Sequence, residues 1–178
     1  LSKDTLIDIE FETSHQQQPS VPGFSLLGGV VPDADSIDPR VNLNNQPWSQ
    51  PVVASGNTAS LRITHDLSPD WRAKLHAMTQ RLTSDDRIAF PFGCSVEGNF
   101  DRYCSDGSLD LYDFRSDDEK RRSDALDLGV EGRLAAAGMT HHVSAGLLAT
   151  RFEANLPPQA FNFAGTGLID GSQVVPDA

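Results

Sequence analysis

Two cysteines are the residues of this sequence best suited to react with each other. Cys94 and Cys104 are the only cysteines, and the segment between them is polar and rich in turn-forming residues. An isolated pair at this spacing can close a small loop in an oxidising compartment. Two free thiols are the alternative. A zinc site is disfavoured, because no histidine or further cysteine lies nearby in the sequence.

The histidines and the common catalytic motifs give no sign of an enzyme. The chain has no Gly-x-Ser-x-Gly elbow, no glycine-rich phosphate loop and no His-Glu-x-x-His helix. His141 and His142 are adjacent, and in a strand their rings point to opposite faces, so they cannot share a metal ion. His15, His65 and His76 are isolated. We therefore expect no enzymatic activity, no metal site and no cofactor.

An acidic segment, Asp106–Asp113, has some similarity to a calcium-binding loop, because hard cations need clustered oxygen ligands. It lacks the later glycine and the bidentate glutamate of an EF-hand loop. The interpretation we favour is a solvated acidic loop.

Composition limits the classes of partner. The 178 residues carry a formal net charge of −11, which would repel a phosphate backbone, so we expect no nucleic acid partner. The hydrophobic content is 38%, and no run approaches the roughly 18 apolar residues of a transmembrane helix. Strands of an outer-membrane barrel alternate apolar and polar residues, however, so hydropathy alone does not separate a soluble chain from a barrel.

Period-two alternation of apolar and polar residues predicts an all-β chain. In the second alternating segment, for example, Leu61 and Ile63 alternate with Arg62 and Thr64. A helix is the alternative for Ser116–Leu128, but its apolar residues do not recur at helical spacing. The five predicted strands are Thr5–Thr13, Thr58–Leu67, Trp71–Thr83, Ser123–Leu134 and Met139–Phe152.

The connections between these strands alternate between long and short. Only Ser68–Asp70 and Ala135–Gly138 separate the second strand from the third and the fourth from the fifth, whereas the other connections are long. Long loops without internal structure are uncommon in compact soluble domains. Short turns on one side and long loops on the other are the norm in bacterial outer-membrane barrels. We therefore predict an antiparallel up-and-down meander of about five strands, part of a transmembrane β-barrel with long external loops.

A secreted, soluble β-rich binding module, for example one that binds carbohydrate, is the alternative. A β-sandwich would show shorter connections and a stronger apolar face to fill its core. Here several positions of the apolar face are Ala or Gly, which a surface packed against fluid lipid tolerates.

Several segments are similar to parts of bacterial TonB-dependent siderophore receptors. Pro19–Gly28 and Asn42–Trp48 resemble an external loop region of these receptors, and His65–Trp71 resembles their periplasmic turns. Phe161–Gly171 resembles a loop that follows a later strand. The resemblance covers nearly the whole chain, but no single motif in it is diagnostic.

The resemblance implies an outer-membrane receptor in a Gram-negative cell. Such a protein takes up a ferric siderophore, is energised by the TonB complex and contacts outer-membrane lipid. Residues 1–178 would then form part of the barrel, roughly five of the 22 strands in plugged transporters of this kind. The plug domain, the TonB-contacting segment and the closing C-terminal strand would lie outside this sequence. An outer-membrane location also favours a disulfide between Cys94 and Cys104.

A ferric siderophore is bulky, often anionic and partly aromatic, so aromatic rings and guanidinium groups in the loops suit it. On this ground we predict that Trp48, Phe100, Arg102 and Tyr103 contact the ligand. Two further aromatic candidates are Phe90 and Phe92. Packing between loops is the alternative role for each of these residues.

The barrel interpretation also predicts which side chains are exposed. Arg62, Lys74, Asp127, Glu131 and Arg133 would face a hydrated lumen. A soluble domain would instead bury the apolar face against a second layer. The side chains predicted to face lipid, and to be exposed in this chain, are Leu126, Leu128, Val130, Leu134, Val143 and Leu147.

Overall fold

The computed structural model describes residues 3–175 as an all-β chain with two short 3-10 helices, Ala34–Ser36 and Ser95–Glu97. In these residues, no helix is long and apolar enough to cross a membrane. The strands are β1 (Thr5–Gln18), β2 (Val52–Ser68), β3 (Trp71–Pro91), β4 (Ser108–Ala136), β5 (Met139–Asn155) and β6 (Ala160–Leu168).

The strands form one antiparallel sheet, which confirms the predicted meander. The order is β1-β2-β3-β4-β5, and β6 pairs with β4 outside this path. The sheet is not closed, and β1 and β5 end the path, as predicted for the two outer strands. Two of the strands that pair with β4 do so antiparallel along different parts of it: Lys120 to Ala136 pair with β5, and Ser108 to Arg115 pair with β6.

Two of the sequence predictions need correction. The fourth strand was expected over Ser123–Leu134, but β4 begins at Ser108, so the preceding loop is much shorter than expected. Phe161–Gly171 was interpreted as a loop, but most of it forms β6. In both segments, polar or small residues occupy strand positions that other segments of the chain cover or pair with. The apolar alternation on which the prediction depended is therefore weaker there.

Two tight turns join the hairpins where short connections were predicted. Pro69 and Asp70 separate β2 from β3, and Ala137 and Gly138 separate β4 from β5. Ala137 and Gly138 both have positive φ, 53° and 75°. Positive φ at both central residues is the conformation that matches the right-handed twist of paired strands in a two-residue hairpin.

The chain divides into two compact units, which we describe separately. The strand unit comprises the residues up to His15, Ser55–Thr83 and Lys120–Asn155. The loop unit comprises Gln16–Ala54, Ser84–Glu119 and the residues from Leu156 onward.

In the strand unit, one sheet face is apolar and open to solvent. Register places Leu128 opposite Leu147 and Val130 opposite Ala145, and directly opposed residues share a face. Leu147 is 65% exposed and Leu134 51% exposed. Of the six apolar side chains predicted to be exposed, five are exposed and Val130 is half-buried, which confirms the prediction about exposure.

The opposite face of the strand unit is charged and equally open. Asp127, Glu131 and Arg133 are exposed. Ion pairs join neighbouring parts of the sheet: Lys74 Nζ of β3 lies 2.7 Å from Glu131 Oε1 of β4, and Arg133 Nη2 of β4 lies 2.8 Å from Oδ1 of Asp70 in the β2–β3 turn. Such exposed pairs contribute little stability, typically below about 1 kcal/mol each. They complete a sheet with one apolar face and one charged face.

The loop unit contains the buried core. Partly buried apolar side chains, including Phe24, Val41 and Ile169, pack against this core. The core cluster is Leu43, Tyr103, Leu109, Leu111 and Val175.

Candidate ligand site in the loop unit

The disulfide predicted from the sequence is present. Cys94 and Cys104 are bonded, with their Cα atoms 5.1 Å apart, within the range that a disulfide can bridge. Both cysteines are buried. The bond closes the segment that carries Phe100, Arg102 and Tyr103.

Two carboxylates fix the backbone around this disulfide. Asp110, which is 1% exposed, accepts hydrogen bonds from the Ser95 backbone N–H at 2.8 Å and from the Ser95 hydroxyl. Glu97 accepts from the backbone N–H of Ser105 at 2.9 Å and from the Ser105 hydroxyl. Gly98, at φ 67°, supplies the left-handed turn that ends the short helix Ser95–Glu97. The closed loop is therefore held by side chains as well as by the covalent bond.

Tyr103, one of the predicted ligand residues, is a core side chain of the loop unit. It is 1% exposed, and its hydroxyl donates to the Gly23 carbonyl oxygen at 3.1 Å. Its ring meets the ring of Phe24 edge-on, with centroids 6.4 Å apart. Burial raises the pKa of the phenol to about 12, because the charged phenolate would lose its hydration.

Trp48, a second predicted ligand residue, is also buried. Its indole N–H donates to the Val175 carbonyl oxygen at 3.2 Å. Around it, Gln46 accepts from the Val175 backbone N–H at 2.7 Å, and Asn44 accepts from the Ala89 backbone N–H at 2.8 Å. Amide side chains of the Asn42–Trp48 segment thus satisfy backbone groups of other segments, which packs the long loops into one unit.

Phe100 and Arg102 lie nearer the surface of the same closed loop. Phe100 is 61% exposed. Arg102 Nε lies 2.9 Å from Asp101 Oδ1, and this neighbour lowers the pKa of the Asp101 carboxyl. The guanidinium charge is therefore largely balanced within the loop, while the Phe100 ring is available for contact.

A pocket of about 250 Å³ lies beside this loop. Phe90, Phe92 and Tyr103 supply its aromatic wall, and Asp101 supplies a carboxylate. Pro22 and Gly23 complete the wall from the first long loop. The volume is below the roughly 300–1,000 Å³ of drug-sized sites, so it suits a single planar ring rather than a whole chelate.

Sequence reasoning named the three aromatic residues of this pocket but not Pro22, Gly23 or Asp101. The signal for Pro22 and Gly23 was a Pro-Gly turn in a loop already considered external. Nothing in the spacing placed that turn next to residues about 70 positions later in the chain, since only the folded loop unit brings them together.

Strand residues of the loop unit also carry an aromatic cluster. The rings of Tyr112 and Phe161 stack with centroids 4.5 Å apart and planes 4° apart. Phe90 and Phe163 add edge-on contacts to this pair. Phe161 is 49% exposed and Phe163 55% exposed, so the cluster is an exposed surface rather than a core.

Burial raises the pKa of one acidic side chain in this unit. The pKa of Asp86 is raised, first by burial of its carboxyl and second by the nearby Glu119 carboxylate. Glu119 itself is 8% exposed and accepts hydrogen bonds from Ser84, Ser116 and Gln159. These contacts tie β3, β4 and the start of β6 together.

The oxygen and sulfur ligands in the described residues do not form an evident metal site. Cys94, Glu97 and Cys104 are close enough to share an ion, but the disulfide removes both thiolates. In the calcium-like segment, Asp106 accepts from the Ser108 backbone N–H and hydroxyl, which lower its pKa. Asp110 and Asp113 are buried and engaged with Ser95 and Arg115. From Ser108 onward the segment is the start of β4, so the interpretation as a solvated acidic loop was wrong for these residues.

Comparison with known proteins gives no family. No protein-family model matches the chain, and no curated protein matches it at a significant level.

Proposed function

We propose that this chain forms part of the wall and external loops of an outer-membrane β-barrel receptor that takes up a ferric siderophore, energised through TonB. The observation that carries the proposal is the open apolar face of the strand unit. A soluble β-rich module, such as a carbohydrate-binding domain, would bury Leu128, Leu134 and Leu147 under a second layer, yet all three are exposed. An apolar face of this kind is unfavourable in water, and contact with lipid chains removes it from water.

The dimensions of the apolar face support a membrane role. From Leu126 to Leu134 the strand advances roughly 26 Å at about 3.3 Å per residue. At a strand tilt of about 40°, this covers about 20 Å of the roughly 25 Å apolar band of outer-membrane barrels. The opposite face, with its cross-strand ion pairs, has the polarity of a hydrated lumen.

The exposed aromatic cluster of the loop unit gives a second line of support. Barrels carry aromatic residues at the level of the lipid headgroups, because an amphipathic ring is stable where hydrocarbon meets water. Phe161 and Phe163 are exposed on a strand, as residues of such a girdle would be.

Partition into vesicles of neutral phospholipid tests the membrane proposal. The wild-type chain should bind, and Leu147→Arg should weaken binding, because an arginine near the bilayer midplane costs about 2–4 kcal/mol. Ser144→Arg is the matched control on the same strand, since Ser144 lies opposite Glu131 on the charged face. Equal loss in both variants, or no binding by the wild-type chain, would contradict the proposal and favour the soluble module.

Ligand capture is tested at the loop pocket. We expect a ferric catecholate complex to bind and Phe92→Ala to weaken that binding about fivefold or more, through loss of a stacking face. Phe163→Ala removes another exposed ring, which lies outside the pocket, and should leave affinity unchanged. Isothermal titration calorimetry measures both. If a soluble oligosaccharide bound instead, in a Phe92-dependent manner, the alternative function would replace this one.

A further inference from the structure

One face of the strand unit changes abruptly from apolar to charged along three neighbouring strands. On β4 the side chains of this face run Leu128, Leu126, Asp124, Arg122 and Lys120. Thr79 of β3 donates to Asp124 at 2.7 Å, which puts Thr79 on this face at the same level. The face therefore has a boundary between residues 124 and 126 of β4.

The same boundary appears on the other strands. On β5, Ala149 lies opposite Leu126, whereas Arg151 lies opposite Asp124 and Glu153 opposite Arg122. On β3, Leu75 lines the apolar part of the face and Arg81 lines the charged part. On a single strand, a change from apolar to charged side chains can be a coincidence. Here three neighbouring strands change at the same level, so the charged side chains form a continuous belt across the face.

The belt is positive, although the chain as a whole is negative. It carries four basic side chains, Arg81, Lys120, Arg122 and Arg151, against two acidic ones, Asp124 and Glu153. Each acidic residue is engaged by a neighbouring arginine: Arg122 Nε lies 2.9 Å from Asp124 Oδ2, and Arg151 pairs with Glu153. Arg81, Lys120 and Arg122 border an open cleft of about 400 Å³, which Glu153, Thr83 and Asn155 also line.

We propose that this belt binds the phosphate headgroups of anionic membrane lipids, with the lipid chains lying on the adjoining apolar face. The inference depends on the proposed membrane location and adds a lipid class to it. The occupant is an amphiphile because the cationic cleft and the exposed Leu126–Leu147 surface belong to one continuous sheet face. Guanidinium groups suit phosphate because they donate in a planar fork to two oxygens.

Position on the sheet distinguishes this belt from other basic residues of the strand unit. Arg133 and Lys74 lie on the charged face and pair with Asp70 and Glu131. Arg62 is exposed on that same face, since its neighbour Ile63 lines the apolar one. Arg62 and Arg133 therefore lie on the face opposite the apolar surface. Lys74 borders the apolar cleft, but its ammonium group pairs with Glu131 on the charged face.

The experiment compares the full chain on two kinds of vesicle, pure phosphatidylcholine and phosphatidylcholine mixed with phosphatidylglycerol. We expect the anionic lipid to strengthen binding, and the Arg81→Ala/Arg122→Ala double variant to lose roughly 30-fold in affinity on mixed vesicles, at about fivefold per basic residue. Its affinity for pure phosphatidylcholine should not change. Higher salt should remove the anionic-lipid effect, because it screens exposed charges.

Two matched variants keep the result interpretable. Arg62→Ala removes the same charge from the other face and should lose far less than the double variant. Arg81→Lys/Arg122→Lys keeps the charge and should retain most of the effect, which also shows that substitution at these positions leaves the chain folded. A loss with Arg62→Ala as large as with the double variant would overturn the inference.

The outcomes separate this inference from the proposed function. Binding to phosphatidylcholine without any gain from phosphatidylglycerol overturns the headgroup site alone. No binding to either vesicle overturns the membrane proposal and this inference with it. Full displacement of mixed-vesicle binding by inorganic phosphate at matched ionic strength would show a site for the free anion, which also overturns the lipid assignment.

Discussion

The indole ring of Trp71 lies directly over Gly132 on the neighbouring strand. A Cβ atom built on Gly132 would fall 2.4 Å from Trp71 Cδ2 and 2.7 Å from the Asp70 carbonyl oxygen. Asp70 also accepts the backbone N–H of Arg133 at 3.0 Å. The first residue of β3 therefore packs against a strand position that leaves no room for a Cβ atom, next to the β2–β3 turn.

Gly132→Ala should consequently displace the Trp71 ring or the β2–β3 turn. We expect a loss of about 1–3 kcal/mol in the free energy of unfolding, as for other insertions into well-packed sites. Gly129→Ala on the same strand is the control, because its Cβ would meet its nearest neighbour, the Ala145 carbonyl oxygen, only at 3.9 Å. Denaturant unfolding in detergent micelles, followed by far-UV circular dichroism, measures both. Equal stability of the two variants would contradict this packing.

Loss of the disulfide should destabilise the loop unit. In the chain-entropy account, a loop of this length contributes roughly 2–3 kcal/mol, so Cys94→Ser/Cys104→Ser should lower the unfolding free energy by that amount. Mild reduction of the wild-type chain should reproduce the effect. Amide hydrogen exchange should rise most around Ser95–Tyr103, and unchanged exchange there would show that Asp110 and Glu97 alone hold the loop.

The stability of the loop unit should fall at high pH because of Tyr103. Burial raises its folded pKa to about 12 from 10.0, so the folded chain holds the phenolic proton more tightly than the unfolded chain. This contribution is complete below pH 10 and is lost as the pH rises from 10 towards 12. Tyr103→Phe should remove that part of the pH dependence. The difference in phenolate absorbance between wild type and variant measures the pKa, and a value near 10 would contradict burial of the hydroxyl.

Trp48→Phe should test whether the Asn42–Trp48 segment packs the long loops. The substitution removes the indole donor and leaves the buried Val175 carbonyl without it, which should cost about 1–3 kcal/mol. Trp48→Ala should cost about 3–5 kcal/mol, because a cavity is added. Phe100→Leu, at a position 61% exposed, should change stability by less than about 0.5 kcal/mol. If instead Trp48→Phe were neutral and weakened ferric catecholate binding, Trp48 would have the ligand role predicted from the sequence.

The structure of the strand unit agrees closely with the prediction from the sequence, whereas that of the loop unit does not. The alternation of apolar and polar residues around Leu126, Leu128 and Val130 is a local pattern, and it predicts directly which side chains share each open face. In β4 before Ser116, the buried positions include Asp110 and Asp113, and β6 contains Gly165 and Gly167. Polar and glycine residues at buried strand positions mask the alternation, which is why the start of β4 and all of β6 were missed.

The candidate ligand residues divide in the same way. Aromatic and arginine side chains in loops were recognisable from the sequence, but their exposure was not. Trp48 and Tyr103 are buried in the loop unit, and Phe100 and Arg102 lie nearer its surface. Residue type is the same before and after folding, but exposure depends on which distant segments pack against a side chain.

The two-sided strands, the short turns and the pairing of the two cysteines were predictable from the sequence, because each depends on residues close together in the chain. Three relationships required the folded chain: the long loops form a unit with its own core, Pro22 and Gly23 line one pocket with Phe92, and charged residues of three strands form one belt. Those relationships depend on strand register and on hydrogen bonds such as that from Trp48 to Val175, which join residues far apart in sequence. A local pattern carries no information about which distant partner satisfies a buried backbone group.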